Sequence, residues 1–359
     1  MAMKKYSFQP DYAVPPGGTL KETLEAKGLS QADLALRSGL AEKTVSQIIN
    51  GIAPITYETA GKLELVLGIP ASFWNARERS YREALVRAEE AERLEKDVGW
   101  LREIPVAALI ERGLIQSDGD KRSLLRQVLS FFEVSSVEAW HNTWHAPAAQ
   151  YRGRAAQEKR PGYVAAWLRL GEIQAERMET RPFDASQFKR ALAAIRRLTV
   201  APVCDWQPKV QELCAAAGVA VVFVKEIPTA SVSGATRWLT KDKAIMQLSL
   251  KYKTLEQLWF TFFHEAGHIL LHGKKQVFIE YGSSNATDEE QEANKYASDW
   301  LIPPEYQHRL PYLRTREQIR AFALSIGTSP EIVLGRLQHD KLLFDSAFND
   351  LKVKVRWRS

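Results

Sequence analysis

Cysteine is almost absent from this chain of 359 residues, which carries only Cys204 and Cys214. Ten positions apart, they form neither a CxxC redox pair nor the framework of a disulfide-stapled domain, and both read as reduced. Long apolar runs are missing too: none approaches the ~20 residues of a membrane-crossing helix. The opening MAMKKYSFQPDY has no apolar segment behind its lysines of the kind a secretory signal carries. A cytoplasmic protein with no membrane partner is expected. Nor does the first part of the chain have a surplus of positive charge, since residues 1–70 hold seven basic and seven acidic side chains. The overall net charge of +6 comes instead from residues 151–200, with eleven Lys or Arg against five Asp or Glu. That run, opened by Arg152, Arg154, Lys159 and Arg160, reads first as a solvated helical face; the sharper alternative is a surface for DNA phosphates or an acidic protein. With 45% hydrophobic and 26% charged residues, the chain can bury a core and divide into two or three domains.

After the break at Pro15-Pro16-Gly17-Gly18, apolar residues recur at Leu20, Leu24, Leu29, Leu34, Leu36, Leu40, Val45, Ile48, Ile49, Leu63, Leu65 and Leu67. The spacing predicts short amphipathic helices separated by glycine-bearing turns. Ser30 suits the N-cap of a helix over Gln31–Ser38, Gly39 closes it, and a second helix over Ala41–Asn50 ends at Gly51. Helix, short turn, helix is the form that lays its second helix in the major groove. A generic bundle would give the same apolar pattern, so the polar faces of the second helix decide. They carry Glu42, Lys43, Thr44, Ser46, Gln47 and Asn50, side chains able to bond base edges. The segments SQADLALRSGL, TVSQIINGIAPIT and LGIPASFW resemble the XRE-type helix-turn-helix, in particular HigA-class antitoxins. The resemblance implies that Gln31 and Arg37 hold phosphates while Lys43, Thr44 and Gln47 face bases of a double-stranded operator. Because residues 1–70 are neutral overall, binding as a homodimer to a palindromic site is expected.

Residues 81–200 are rich in Ala, Glu, Arg and Leu at helical spacing, with no catalytic pattern. The cluster of Trp140, His141, Trp144 and His145 lacks a carboxylate or cysteine nearby and reads as core. Near Cys214 the composition changes. VAVVFV after Gly218, SVSGATRWL and KAIMQLSL read as three strands, the last two joined through Thr240-Lys241-Asp242-Lys243. Ser231–Leu239 is expected to be a sheet edge open to another backbone at Gly234. A helix then spans Tyr252 to His272, with Thr254 as cap and Gly273 as stop.

Within that helix stands TFFHEAGHILLH. His264 and His268 are four apart, so both imidazoles lie on one face and can share a Zn²⁺ ion. Glu265 has the place of the general base in an HExxH site. Two imidazoles and a carboxylate among Trp259, Phe262, Phe263 and Ile269 would be costly to bury without a partner, and a metal supplies one. A third ligand should follow in TDEEQEANKYASDWLIPP, a helix capped by Thr287 and stopped at Pro303. Glu289, Glu290 and Glu292 are the candidates; Glu292 is preferred because it lies deeper in the helix, beside small Ala293. The others have the bland role of dipole complements in a first turn.

Together FTFFHEAGHILLH and EEQEANKYASDWLIPP resemble the ImmA/IrrE family of zinc metallopeptidases. The resemblance implies zinc on His264, His268 and Glu292 and Glu265 as base; His272, which continues the spacing, and Glu289 are expected behind the ligands. It also implies a protein repressor or antitoxin as substrate. The expected fold is mainly α with a small α+β zincin-like domain: an N-terminal helix-turn-helix bundle over 15–76, a helical middle over 77–203, and a metallopeptidase domain with a small sheet over 204–359. A DNA-binding zinc endopeptidase that cuts a regulator is one functional expectation. The other is a HigA-like regulator or antitoxin whose peptidase-like domain senses a partner without hydrolysis. In either case the two functions should separate: replacing Lys43, Thr44 and Gln47 together by alanine should abolish specific operator binding in a gel-shift assay and leave zinc content unchanged. Loss of zinc in that variant would refute the division.

Overall fold

The computed structural model describes residues 14–145, 160–200, 206–230, 232–274, 277–280 and 287–357. They fall into two compact units that divide between Val98 and Gly99. Cys204 and the basic residues Arg152, Arg154 and Lys159 lie outside the described residues. Cys214 is a free, buried thiol.

The first unit holds α1 (Pro16–Lys27), α2 (Gln31–Ser38), α3 (Glu42–Ile49), α4 (Tyr57–Leu67) and α5 (Ala71–Asp97). Helix α1 starts at Pro16, inside the expected break, because proline is preorganised for the first turn of a helix. Gly17 then lets α1 lie against the backbone of Ile48 and Ile49 in α3, where a Cβ would overlap both. Ser30 caps α2 in a reciprocal pair with Asp33: the Ser30 hydroxyl accepts from the Asp33 amide, and the Asp33 carboxylate accepts from the Ser30 amide, each at 3.0 Å. Gly39 turns the chain in the left-handed region at φ 68°. Leu20, Leu34, Val45, Ile48, Leu63 and Trp74 meet in the core. Leu36 and Leu65 do not join it, being 84% and 88% exposed. Each lies two positions, about 200° of helix, from a core residue, Leu34 or Leu63, so the apolar pattern over-reads them.

In the second unit the order is α6 (Val106–Glu111), α7 (Lys121–Phe131), α8 (Val137–Trp140), α9 (Pro161–Glu176), α10 (Ala185–Leu198), α11 (Trp206–Ala215), β1 (Val219–Phe223), β2 (Gly234–Thr240), β3 (Lys243–Leu248), α12 (Leu255–Leu271), β4 (Phe278–Glu280), α13 (Asp288–Leu301), α14 (Pro304–Gln307), α15 (Arg316–Ile326) and α16 (Pro330–His339). The fold is mainly helical with one small mixed sheet. Trp140 and Trp144 are buried, with Trp140 edge-on to Trp100 and Phe132. No helix among the described residues is long and apolar enough to cross a membrane.

The sheet order is β1-β3-β2-β4, with β1 parallel to β3 and the other pairs antiparallel. Strand alternation assigns the two faces. Ile245 and Gln247 alternate with Ala244, Met246 and Leu248, which join the core around α12. On the opposite face lies α9: the Gln247 amide donates to the Trp167 carbonyl at 2.6 Å and the Arg237 guanidinium to the Leu168 carbonyl at 3.0 Å. Lys243 closes the end of α9 by donating to the Ala175 and Met178 carbonyls.

The expected open edge at β2 is not found, because Gly234–Thr236 pair with β4 as well as with β3. Gly234 serves a different purpose. A Cβ there would overlap Glu265 Oε1 and come within 2.6 Å of Thr261 Cγ2, so the missing side chain admits α12 to the sheet. Overpacking of this kind costs about 1–3 kcal/mol. Gly234→Ala should therefore lower the denaturant midpoint of the second unit with an unchanged slope, read by tryptophan fluorescence, and Thr261→Ser should recover part of the loss. A midpoint equal to that of the parent would show that the contact is not a constraint.

Candidate metal centre

Helix α12 is apolar over most of its length, and three buried polar groups gather within residues 264–268. His264, Glu265 and His268 are all at most 2% exposed. Such burial needs compensation. It comes from α13, which crosses α12 where neither helix carries bulk: a Cβ on Gly267 would lie 3.1 Å from Ala293 Cα and 3.3 Å from Tyr296 Cβ.

Glu290 stands three residues before Ala293 on the same face of α13. Its carboxylate comes 3.1 Å from His264 Nε2 and 3.5 Å from His268 Nε2. The two Nε2 atoms are themselves 3.0 Å apart, with the rings edge to face. His264, His268 and Glu290 form the group among the described residues whose ligand atoms all lie within 4.8 Å of one another. The sequence reading preferred Glu292, and the geometry does not bring that residue to the group. Glu292 is exposed, and its Oε2 meets His272 Nε2 at 3.2 Å. The reason is helical phase: adjacency to Ala293 places Glu292 about 100° away from it, whereas residues three or four apart share a face. Glu289 has the bland role. Its carboxyl is held below the usual range by its own backbone amide and the Thr287 hydroxyl, as befits a first-turn acid.

The outer nitrogens of both histidines are occupied. His264 Nδ1 is 3.0 Å from Asn294 Oδ1, and His268 Nδ1 is 2.9 Å from His272 Nδ1. Asn294, four residues after Glu290, was missed by the sequence reading, although the spacing from Glu290 was the available signal. Phe278 on β4 stacks on His268 with centroids 4.0 Å apart and planes at 17°, and nothing local in the sequence announced it. Burial pushes His268 down to about 4, and Glu290, despite its own burial, is drawn down to about 2 by the adjacent His264 and His268 rings. A neutral imidazole at His268 and an ionised carboxylate at Glu290 are the protonation states of metal ligands.

These residues fit a zinc ion by their donor chemistry. With protons on both Nδ1 atoms, two Nε2 lone pairs and a carboxylate converge at one buried point, an arrangement of three acceptors that a cation satisfies. Two nitrogens and one carboxylate are also a donor set of catalytic zinc sites. Glu265 lies on the next face of α12, toward the sheet, where Thr236 Oγ1 donates to its backbone carbonyl at 3.4 Å and its carboxylate fills the space beside Gly234.

In the first unit, Gln31, Arg37 and Lys43 are exposed, while Thr44 and Gln47 are half-buried on α3. Val45 and Ile48 turn inward and leave the polar sides of that helix outward.

Residues 20–74 match the helix-turn-helix family, and residues 218–338 match the peptidase family described as the IrrE N-terminal-like domain. Among solved structures, an addiction module antidote protein of the HigA family from Coxiella burnetii is 26% identical, covering 24% of this chain and 94% of that chain with a TM-score of 0.22. No curated protein matches significantly. The chain carries an XRE-type helix-turn-helix domain followed by a peptidase-family domain of the IrrE N-terminal-like kind.

Proposed function

We propose that the protein is a cytoplasmic, DNA-binding zinc endopeptidase that cleaves a protein regulator, a repressor or an antitoxin. The single observation that carries this reading is the convergence of His264 Nε2, His268 Nε2 and a Glu290 oxygen within 4.8 Å of one another. Glu290 replaces Glu292 as the proposed third ligand. A zinc ion held there supplies Lewis-acid polarisation of a peptide carbonyl and of water. Glu265 is the proposed base: it takes a proton from the attacking water and delivers it to the leaving amine. Its burial and its fixed seat against Gly234 suit a group whose proton transfers require a constant position. Gln31 and Arg37 are proposed to hold phosphates and Lys43, Thr44 and Gln47 to read bases, from a homodimer on a palindromic operator. The DNA-binding unit would thus bring the peptidase to the regulator's own site of action.

A second reading keeps the same metal centre in a transcription regulator that binds its partner without hydrolysing it. It draws on the helix-turn-helix match, which assigns a regulator's domain irrespective of catalysis. Two measurements separate the readings. Metal analysis should find one zinc per wild-type chain, a loss of at least 100-fold in zinc affinity for Glu290→Gln, and full occupancy in Glu265→Gln. Mass spectrometry of a proteome-derived peptide library should then reveal new termini with the zinc-loaded wild type and none with Glu265→Gln. A zinc-loaded wild type that generates no termini would favour the non-hydrolytic regulator, and retention of zinc by Glu290→Gln would remove the ligand assignment.

A further inference from the structure

The groups behind the two histidines are chemically unequal, and the inequality has a consequence that rests on the proposed metal reading. His264 Nδ1 faces an amide oxygen, Asn294 Oδ1, at 3.0 Å. An asparagine side chain can present either its oxygen or its NH₂ group to a neighbour, so by itself it accepts either tautomer of the ring. His268 Nδ1 faces His272 Nδ1 at 2.9 Å, and the other ring nitrogen of His272 faces Glu292 Oε2 at 3.2 Å. An ionised carboxylate only accepts. It therefore requires a proton on His272 Nε2, which leaves His272 Nδ1 as an acceptor and draws the proton of His268 onto Nδ1. The lone pair of His268 is then on Nε2, facing His264 Nε2 and Glu290. With the opposite proton order, His268 Nε2–H would point at His264 Nε2 and the bare Nε2 of His272 would oppose the carboxylate.

We infer that Glu292, acting through His272, is a positioning relay that fixes the tautomer and orientation of His268 as a metal ligand. Neither residue touches the ion. Geometry supports the relay at each step: the His268 and His272 rings lie 5.0 Å apart, and Phe278 packs on both, at 4.0 and 5.1 Å between centroids. The ring planes are thus clamped from the β4 side while the protons are ordered from the α13 side. The His272 side chain is only 5% exposed and that of Glu292 is 64% exposed, so the relay runs from solvent to the buried ligand.

Outer partners of this kind change metal affinity by about 10–100-fold. Zinc affinity of the full-length chain, measured by competition with a chromophoric chelator, should fall about ten-fold in Glu292→Gln. It should fall further in His272→Ala and be partly restored in His272→Asn, whose side-chain oxygen can accept from His268 Nδ1. Glu289→Gln removes a charge that also acts on His272, but through space and with no hydrogen bond to its ring, and should change affinity less than two-fold. In Co²⁺-substituted protein, the visible ligand-field bands should shift in Glu292→Gln and not in Glu289→Gln. Glu292→Gln lies at the surface, so it decides the matter even where His272→Ala fails to fold. One zinc per wild-type chain with unchanged affinity in Glu292→Gln, or equal losses in Glu292→Gln and Glu289→Gln, overturns the relay alone. A wild type that binds no zinc overturns the metal reading and the relay with it.

Discussion

The close crossing of α12 and α13 at Gly267 and Ala293 is the constraint on which the centre depends. A Cβ at Gly267 would press on Ala293 Cα at 3.1 Å and on Tyr296 Cβ at 3.3 Å, so the helices meet there as closely as a residue without a side chain allows. His264 and His268 flank that point on α12 by one turn or less, and Glu290 and Asn294 flank it on α13. Helix ridges normally hold axes 8–10 Å apart, with side chains between. Here the missing bulk lets short-armed groups meet directly: imidazole to carboxylate at 3.1 Å and imidazole to amide at 3.0 Å. Rigid elements deliver every inner member of the group, which suits a site whose ligands must stay within fractions of an ångström of their places.

Much of this was legible in the sequence. The strands announced themselves by β-branched runs, the helices by caps such as Ser30 and Thr287, and the histidine pair by its four-residue spacing. What failed was phase and partnership. Glu292 was preferred over Glu290 because nearness along the chain was read as nearness on the helix surface, although Glu290 shares its face with Ala293 and Ala297. Leu36 and Leu65 were included in the apolar spacing that predicted the first helices, and both face solvent. Gly234 was read as room for a foreign backbone, and the room belongs to Glu265. That last error has a general cause: a three-residue strand such as β4 carries too little pattern to be seen, yet by pairing with Gly234–Thr236 it converts an edge into an interior strand.

The first unit follows a different logic. Its core of Leu20, Leu34, Val45, Ile48, Leu63 and Trp74 closes around α3 using only residues before Val98. Gly17 has there the role that Gly267 has in the second unit, allowing one backbone to rest on another. Because Val45 and Ile48 anchor α3 from one side, its exposed side is free to be polar without loss of stability. Folding thus claims one side of this eight-residue helix and leaves the other to polar side chains.

The same separation operates on α12, at the scale of adjacent residues. Successive positions on a helix are about 100° apart, so His264 and Glu265 pack against different elements. His264 turns to α13 and joins Glu290; Glu265 turns to β2 and occupies the space at Gly234. Adjacent positions thus engage two different elements, α13 and β2, without competing for the same space. The cost is that the helix must be packed tightly on two sides at once, against a helix and against a strand, each through a glycine. Gly267 and Gly234 are therefore as much a part of the centre as its donors, since together they set how deeply α12 is seated between α13 and the sheet.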